Sequence, residues 1–430
     1  MKKFLRAPFY LMVAYNLFSC STIISQVQTQ NKVPTDTYPP AVALDQKIVE
    51  KPPVIDLSQY KSVHSRFKNK SNMAIAMATS GGGYRAANLT VGVMIGLEKL
   101  YNPTSKRNLL ESVDYFSSVS GSGIAVGYYL DQLYLHQLTR PSVPFSLEQS
   151  TNQFKKNPNN PLRDDLSKYL FFGKNRGLAL EATLNQSLFA SLHELTLGDI
   201  YISKNSSKPV RLPYWATNSM IYQNAAIFPF APDILQRYKI VGYSHGNQAY
   251  KLTNAYDFPV SVGVTASTSL PVITPPTTLI SNGCAEQCYL HLVDGGLTDS
   301  LGVFTALNFL LQDKSKIKVL IIVDASKSTL QPYSQSPDSP KTISLMTRLI
   351  AANGDANREH IRPNIDFIAK KLLGANSKKI VVIYLDLDRY PKARLISTKL
   401  AISAEDQQFL IDLGKQLVMQ NPQIKQLLRV

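Results

Sequence analysis

Three short apolar runs in this chain stop abruptly at residues with little or no side chain. Met73 to Thr79 runs into Ser80-Gly81-Gly82-Gly83-Tyr84-Arg85-Ala86, Val113 to Val119 into Ser120-Gly121-Ser122, and Tyr289 to Val293 into Asp294-Gly295-Gly296. A largely apolar run bounded by turn residues reads as a buried strand. The first two turns open stretches of helical character, over about 85–100 and 123–136. Strand–turn–helix alternation predicts an α/β fold with a mostly parallel central sheet covered on both faces. Open sheets of that class bind ligands outside the carboxyl ends of their strands, so the three turns are expected along one edge.

The remaining pattern fits this layout. Val210 to Tyr222, Ile317 to Val323 and Ile380 to Leu385 read as further strands, with helices over Phe258 to Leu270, 302–312, 341–352 and 404–419. At 430 residues, 44% apolar and 18% charged, the chain can bury a large core. Residues 140–205 are rich in Asn, Pro, Lys and Phe and read as a cap-like insertion with a helix over about Leu178 to Leu192. Residues 20–57 are polar and carry Pro34, Pro39, Pro40, Pro52 and Pro53, the composition of an extended tether. The folded body is expected over 58–430.

Residues 1–19 have the layout of an export signal, with a basic start through Arg6 and an apolar stretch from Ala7 to Phe18. Ser19-Cys20 resembles the end of a bacterial lipoprotein signal, in which Cys20 is lipidated and anchors the protein in the cell envelope, at the outer membrane. Plain secretion is the other reading. No segment is long and apolar enough to span a bilayer as a mature helix. Cys284 and Cys288 either close a small disulfide ring in an oxidising compartment or stay as two thiols. Only His291 stands close enough to join them, too few ligands for zinc. The formal net charge of +16 favours an anionic partner. The lysines are scattered and no nucleic-acid-binding motif is present, so an anionic membrane surface is expected rather than nucleic acid. Phe154, Lys155, Lys156, Leu170, Phe171, Phe172 and Lys174 interleave aromatic and cationic side chains and suit such a surface.

Each of the three turns offers one part of a hydrolytic site. A serine nucleophile needs a sharp strand-to-helix turn that points its hydroxyl out of the sheet, with small residues two places before and after. Ser120 has Ser118 and Ser122 there, where glycine is usual. Glycines 81–83 let the backbone approach a substrate, and helix-start N–H groups carry partial positive charge that suits an oxyanion. The loop lacks the Gly-Lys-Ser/Thr of a phosphate loop, and Ala86 stands where a dinucleotide fold wants its last glycine. Asp294 could accept the serine proton. Taken singly, the serines also read as a helix cap and the aspartate as a turn residue. Among the histidines, only His291 and His360 could complete a serine–histidine–carboxylate triad.

In this order, glycine loop, serine turn and Asp-Gly-Gly resemble the patatin-like phospholipase family. The resemblance takes in Ala216-Thr217-Asn218, Phe228-Pro229-Phe230, Val264-Thr265-Ala266-Ser267 leading to Pro271 and Pro275-Pro276, and Asp294 to Ser300, covering about Met73 to Val303. It implies a three-layer α/β/α fold and a serine lipid acyl hydrolase for phospholipids or lysophospholipids, with a Ser–Asp dyad and no metal or other cofactor. It carries the nucleophile onto Ser120, the proton acceptor onto Asp294 and the oxyanion hole onto the backbone of Gly81, Gly82 and Gly83. Supporting places fall to Arg85, Ser118, Gly121, Ser122, Gly295 and Gly296, with Arg85 either steadying the loop or meeting a lipid head group. Two other readings stay open: an α/β-hydrolase-type esterase with a histidine base, and a catalytically inactive lipid-binding envelope protein.

Overall fold

The computed structural model describes residues 53–61, 72–103, 106–155, 176–187, 194–202, 210–245, 248–271, 273–285, 287–326, 342–399 and 402–429. The expected signal, Cys20, the tether as far as Pro52, and Lys156, Leu170, Phe171, Phe172 and Lys174 lie outside them, as do the side chains of Phe154 and Lys155.

β1 (Met73–Thr79) leads through the glycine loop into α1 (Gly83–Glu98). A small ribbon, β2 (Tyr101–Asn102) and β3 (Arg107–Asn108), precedes β4 (Tyr115–Val119), which turns at Ser120 into α2 (Gly121–Thr139). α3 (Leu147–Lys155), α4 (Arg176–Ser187) and α5 (Leu197–Ile202) come before β5 (Tyr214–Ile221), β6 (Ile227–Pro229) and α6 (Pro232–Arg237). Then follow β7 (Ile240–His245), β8 (Gln248–Lys251), α7 (Val260–Ser267), β9 (Thr277–Ser281), β10 (Cys288–Asp294), α8 (Val303–Gln312) and β11 (Ile317–Asp324). After α9 (Thr342–Ile361), α10 (Ile365–Leu373) and β12 (Lys379–Asp386) the described chain ends with α11 (Pro391–Leu395), α12 (Ala404–Gln420) and α13 (Pro422–Leu427).

Apart from the β2–β3 ribbon, the described strands form one ten-stranded sheet in the order β12-β11-β1-β4-β5-β10-β9-β7-β8, with β6 paired to β5. The five strands from β12 to β5 run parallel, and the others join antiparallel. Every residue of β1 and β4 is buried, as strands covered on both faces demand. α8 packs on β1, β4 and β11 on one face. α1 and α2 lie on the other, with α12 against α1. Side chains of β5 confirm the two layers. Thr217 lies by Gly123 of α2 and Gly263 of α7, whereas the next residue, Asn218, bonds Thr305 of α8. This is the expected three-layer α/β/α architecture.

Some expectations change. β7, β8 and β9 lack a readable strand pattern: β8 is exposed at the sheet's edge, and β7 and β9 are short and mix polar with apolar residues. Pro53 to Leu57, expected in the tether, are docked on the body: Ile55 is fully buried, and the Asp56 and Leu57 N–H groups bond Asp233 (2.8 Å) and Gln312 (2.9 Å). Two described parts of 140–205 are anchored in the core. Leu147 is buried, with its N–H on Glu98 at 2.5 Å, and Tyr201 is buried with its hydroxyl on the Trp215 carbonyl at 2.9 Å.

Candidate active site

β4 and β5 run side by side, with Val119 opposite Asn218. β5 continues past the tip of β4 for three more residues, and β10 pairs with that extension in the opposite direction, placing Asp294 opposite Ser219. The carboxylate therefore reaches the carboxyl edge of the parallel strands from an antiparallel strand. The sequence pattern places all three turns at the ends of parallel strands, whereas Asp294 ends an antiparallel one. The three turns nevertheless meet.

Ser120 stands between β4 and α2 with φ +53° and ψ −130°. Such a conformation costs a non-glycine residue on the order of 1–3 kcal/mol and persists only where its surroundings enforce it. Ser120 Oγ donates to Asp294 Oδ2 at 2.8 Å. Asp294 Oδ1 accepts from the Gly296 N–H at 2.8 Å. Burial pushes the Asp294 carboxyl up to about 6, against the opposing pull of the bonds from Gly296 and Ser120. A carboxylate with that affinity for protons suits general-base work near neutral pH.

Ser118 and Ser122 are not idle departures from glycine. The Ser118 hydroxyl accepts from the Trp215 indole N–H at 2.9 Å. The Ser122 hydroxyl accepts from Thr79 Oγ1 (2.9 Å) and the Val119 N–H (3.2 Å), and its proton is shared between the carbonyls of Thr79 and Val119, both at 2.9 Å. Both tie the turn to the strands beside it. A Cβ on Gly121 would fall 2.1 Å from the Gly83 carbonyl oxygen, and one on Gly295 2.1 Å from that of Asn218, so neither place admits a side chain.

The glycine loop lies against the serine, since a Cβ on Gly81 would stand 3.5 Å from Ser120 Cβ. Its three N–H groups are not equivalent. That of Gly81 donates to the Ser300 carbonyl at 3.0 Å, which removes it from the expected oxyanion set. Gly82 and Gly83, with φ +141° and +59°, open α1 and have no hydrogen-bond acceptor among the described residues. They keep the donors and the positive helix end that an oxyanion would use. Arg85 is buried, donating Nε to the Ala325 carbonyl and Nη1 to the Ile396 carbonyl, both at 2.8 Å. It steadies the loop and does not face solvent.

Sequence reasoning missed two side chains with direct parts here. The Ser120 N–H donates to Ser267 Oγ at 2.8 Å. Asn218 Nδ2 donates to Ser117 Oγ and to the Ser118 carbonyl, both at 2.9 Å. Both residues lie in segments that carry the family resemblance, but nothing local marks them out. No described histidine bonds to Ser120 or Asp294. His291 points to the sheet face opposite Asp294, with Nδ1 at 3.0 Å from Thr278 Oγ1, and His360 is exposed on α9. Cys284 and Cys288 are disulfide-bonded, with their Cα atoms 6.0 Å apart.

No protein-family model matches this chain, and no curated protein does. Among solved structures it is similar to human GIVD cytosolic phospholipase A2 (TM-score 0.44, 12% identity, 83% of this chain and 62% of that one). The same human protein in complex with methyl gamma-linolenyl fluorophosphonate gives a TM-score of 0.39 at 13% identity, over 84% and 60% of the two chains. VipD from Legionella pneumophila gives 0.31 at 12% identity, over 81% and 66%. The chain spans about three fifths of the human chains it matches. Likeness this distant carries no information on substrate.

Proposed function

We propose that this chain is a patatin-type serine lipid acyl hydrolase acting on acyl esters of phospholipids or lysophospholipids. One observation carries the reading: a strained serine at a strand-to-helix turn donates at 2.8 Å to a buried carboxylate whose proton affinity is raised to about 6. Asp294 takes the Ser120 proton as Oγ attacks the ester carbonyl. The Gly82 and Gly83 N–H groups face the oxyanion, and the proton passes to the leaving alcohol. Water, deprotonated by the same carboxylate, then attacks the acyl-enzyme, and that proton passes to Ser120 Oγ as the fatty acid leaves. The phospholipid substrate follows from the motif resemblance.

The decisive experiment profiles products from mixed phospholipids. Ser120→Ala and Asp294→Asn should each lower turnover by roughly a thousandfold or more. Hydrolysis that persists in pure, folded Ser120→Ala would remove the reading. His291→Ala and His360→Ala should keep most activity, and a collapse in either would favour the histidine-base esterase. The same reading extends to placement: an exported protein, lipidated at Cys20, working at an anionic envelope surface. Mass spectrometry of the mature N-terminus checks the lipid, and partition to anionic against neutral vesicles checks the surface.

A further inference from the structure

The last turn of α7 touches both members of the reacting pair. The Ser267 hydroxyl accepts from the Ser120 N–H at 2.8 Å and donates to the Asn218 carbonyl at 2.5 Å. Two residues on, the Ser269 carbonyl accepts the Asp294 N–H at 2.9 Å. The neighbouring hydroxyls behave differently. Thr268 bonds back to the Val264 and Thr265 carbonyls at 3.0 Å and Ser269 to Thr265 at 2.9 Å, the ordinary habit of such residues at a helix end. Ser267 alone of the three reaches across to the serine turn. It is fully buried, so without its hydroxyl the Ser120 N–H and the Asn218 carbonyl would each lose a partner where water cannot replace it.

We propose that Ser267 is a positioning residue and that the turn Ser267-Thr268-Ser269 sets the spacing of the Ser120–Asp294 pair. One end of the turn fixes the backbone of Ser120 in its positive-φ conformation. The other fixes the backbone of Asp294 at the end of β10. The Asn218 carbonyl, on the strand between them, closes the triangle. This rests on reading Ser120 and Asp294 as the reacting groups, but the bridge itself is a matter of hydrogen bonding that can be read without any chemistry.

The test compares wild type, Ser267→Ala and Ser267→Thr as folded full-length proteins. In Ser267→Ala the Ser120 amide should exchange its hydrogen about tenfold faster, the value of one lost buried bond. Turnover should fall roughly ten- to a hundredfold with KM within about twofold, because misplacing a nucleophile acts on the reacting geometry rather than on binding. Ser267→Thr, which keeps the hydroxyl, should recover most of both. Unchanged exchange and turnover in Ser267→Ala would overturn the proposal, as would equal losses in the Ala and Thr variants. Should Ser267→Ala fail to fold, Ser267→Cys keeps the volume, weakens the acceptor and carries the same comparison. If wild type proves inert toward esters while the exchange difference stands, the bridge survives and the hydrolase reading falls.

Discussion

Asp294 keeps its charge where burial opposes it, and the two bonds it accepts only partly offset that burial. The sign of the consequence is fixed. Its carboxyl titrates at about 6 when folded, above the usual 3.8, so the charged form costs stability at neutral pH. That cost is fully present above about 6 and vanishes as pH falls toward 3.8. Asp294→Asn should therefore gain up to about 3 kcal/mol of unfolding free energy at pH 8 while losing activity. The gain should shrink between pH 6 and 4, as urea titrations at several pH values would show. Ester hydrolysis by wild type should fall as pH drops through about 6, where the base becomes protonated. At this scale the residue types were legible: Ser120, Asp294 and the glycines lie in short turns after apolar runs. Ser267 was not, because a serine late in a helix reads as a local cap and its partner is 147 residues away. The Gly81 N–H was misassigned because its acceptor, the Ser300 carbonyl, is still more remote in sequence.

Among the elements, α1 is closely confined. Tyr84 to Leu97 are all buried, between the sheet and α12. A Cβ on Gly92 would fall 2.2 Å from the Ile411 carbonyl oxygen of α12, backbone against backbone. Gly92→Ala should accordingly destabilise the fold by about 1–3 kcal/mol or more, with the site distorted through α1. Gly374→Ala serves as the control, since no atom of the described residues lies within 4 Å of its new Cβ and its φ of −61° is helical. That substitution should stabilise by about 0.4–1 kcal/mol. Thermal unfolding of the two variants checks both signs. β1 and β11 were readable because strands buried on both faces leave mostly apolar runs, and β4, with Ser117 and Ser118 inside it, leaves a shorter one. β8 was not, because an exposed edge strand such as Gln248–Lys251 has no apolar pattern to read. α9 outran its expected end at 352, continuing through Gly354 and Asn357. Packing explains that persistence: Asn357 Nδ2 bonds the Leu297 carbonyl at 3.1 Å, and Gly354 lies against the Gly296 carbonyl.

For the molecule as a whole, the disulfide and the site stand at opposite ends of one strand. Cys288 begins β10 and Asp294 ends it. Cleaving a ring this small should cost at most about 2 kcal/mol by loop entropy. Reduction should lower the melting temperature slightly and leave ester hydrolysis unchanged; activity lost before unfolding would show that the β9–β10 loop governs the site. What the sequence by itself determined was the α/β class, the three turns and the residue types within them, because strand burial and turn chemistry are local and leave local patterns. Tertiary structure alone decided that β10 runs antiparallel, that Gly82 and Gly83 rather than Gly81 keep open donors, and that Ser267 holds the serine backbone. Those outcomes depend on which strand lies beside which, and on contacts between residues far apart in the chain, where periodicity has nothing to say.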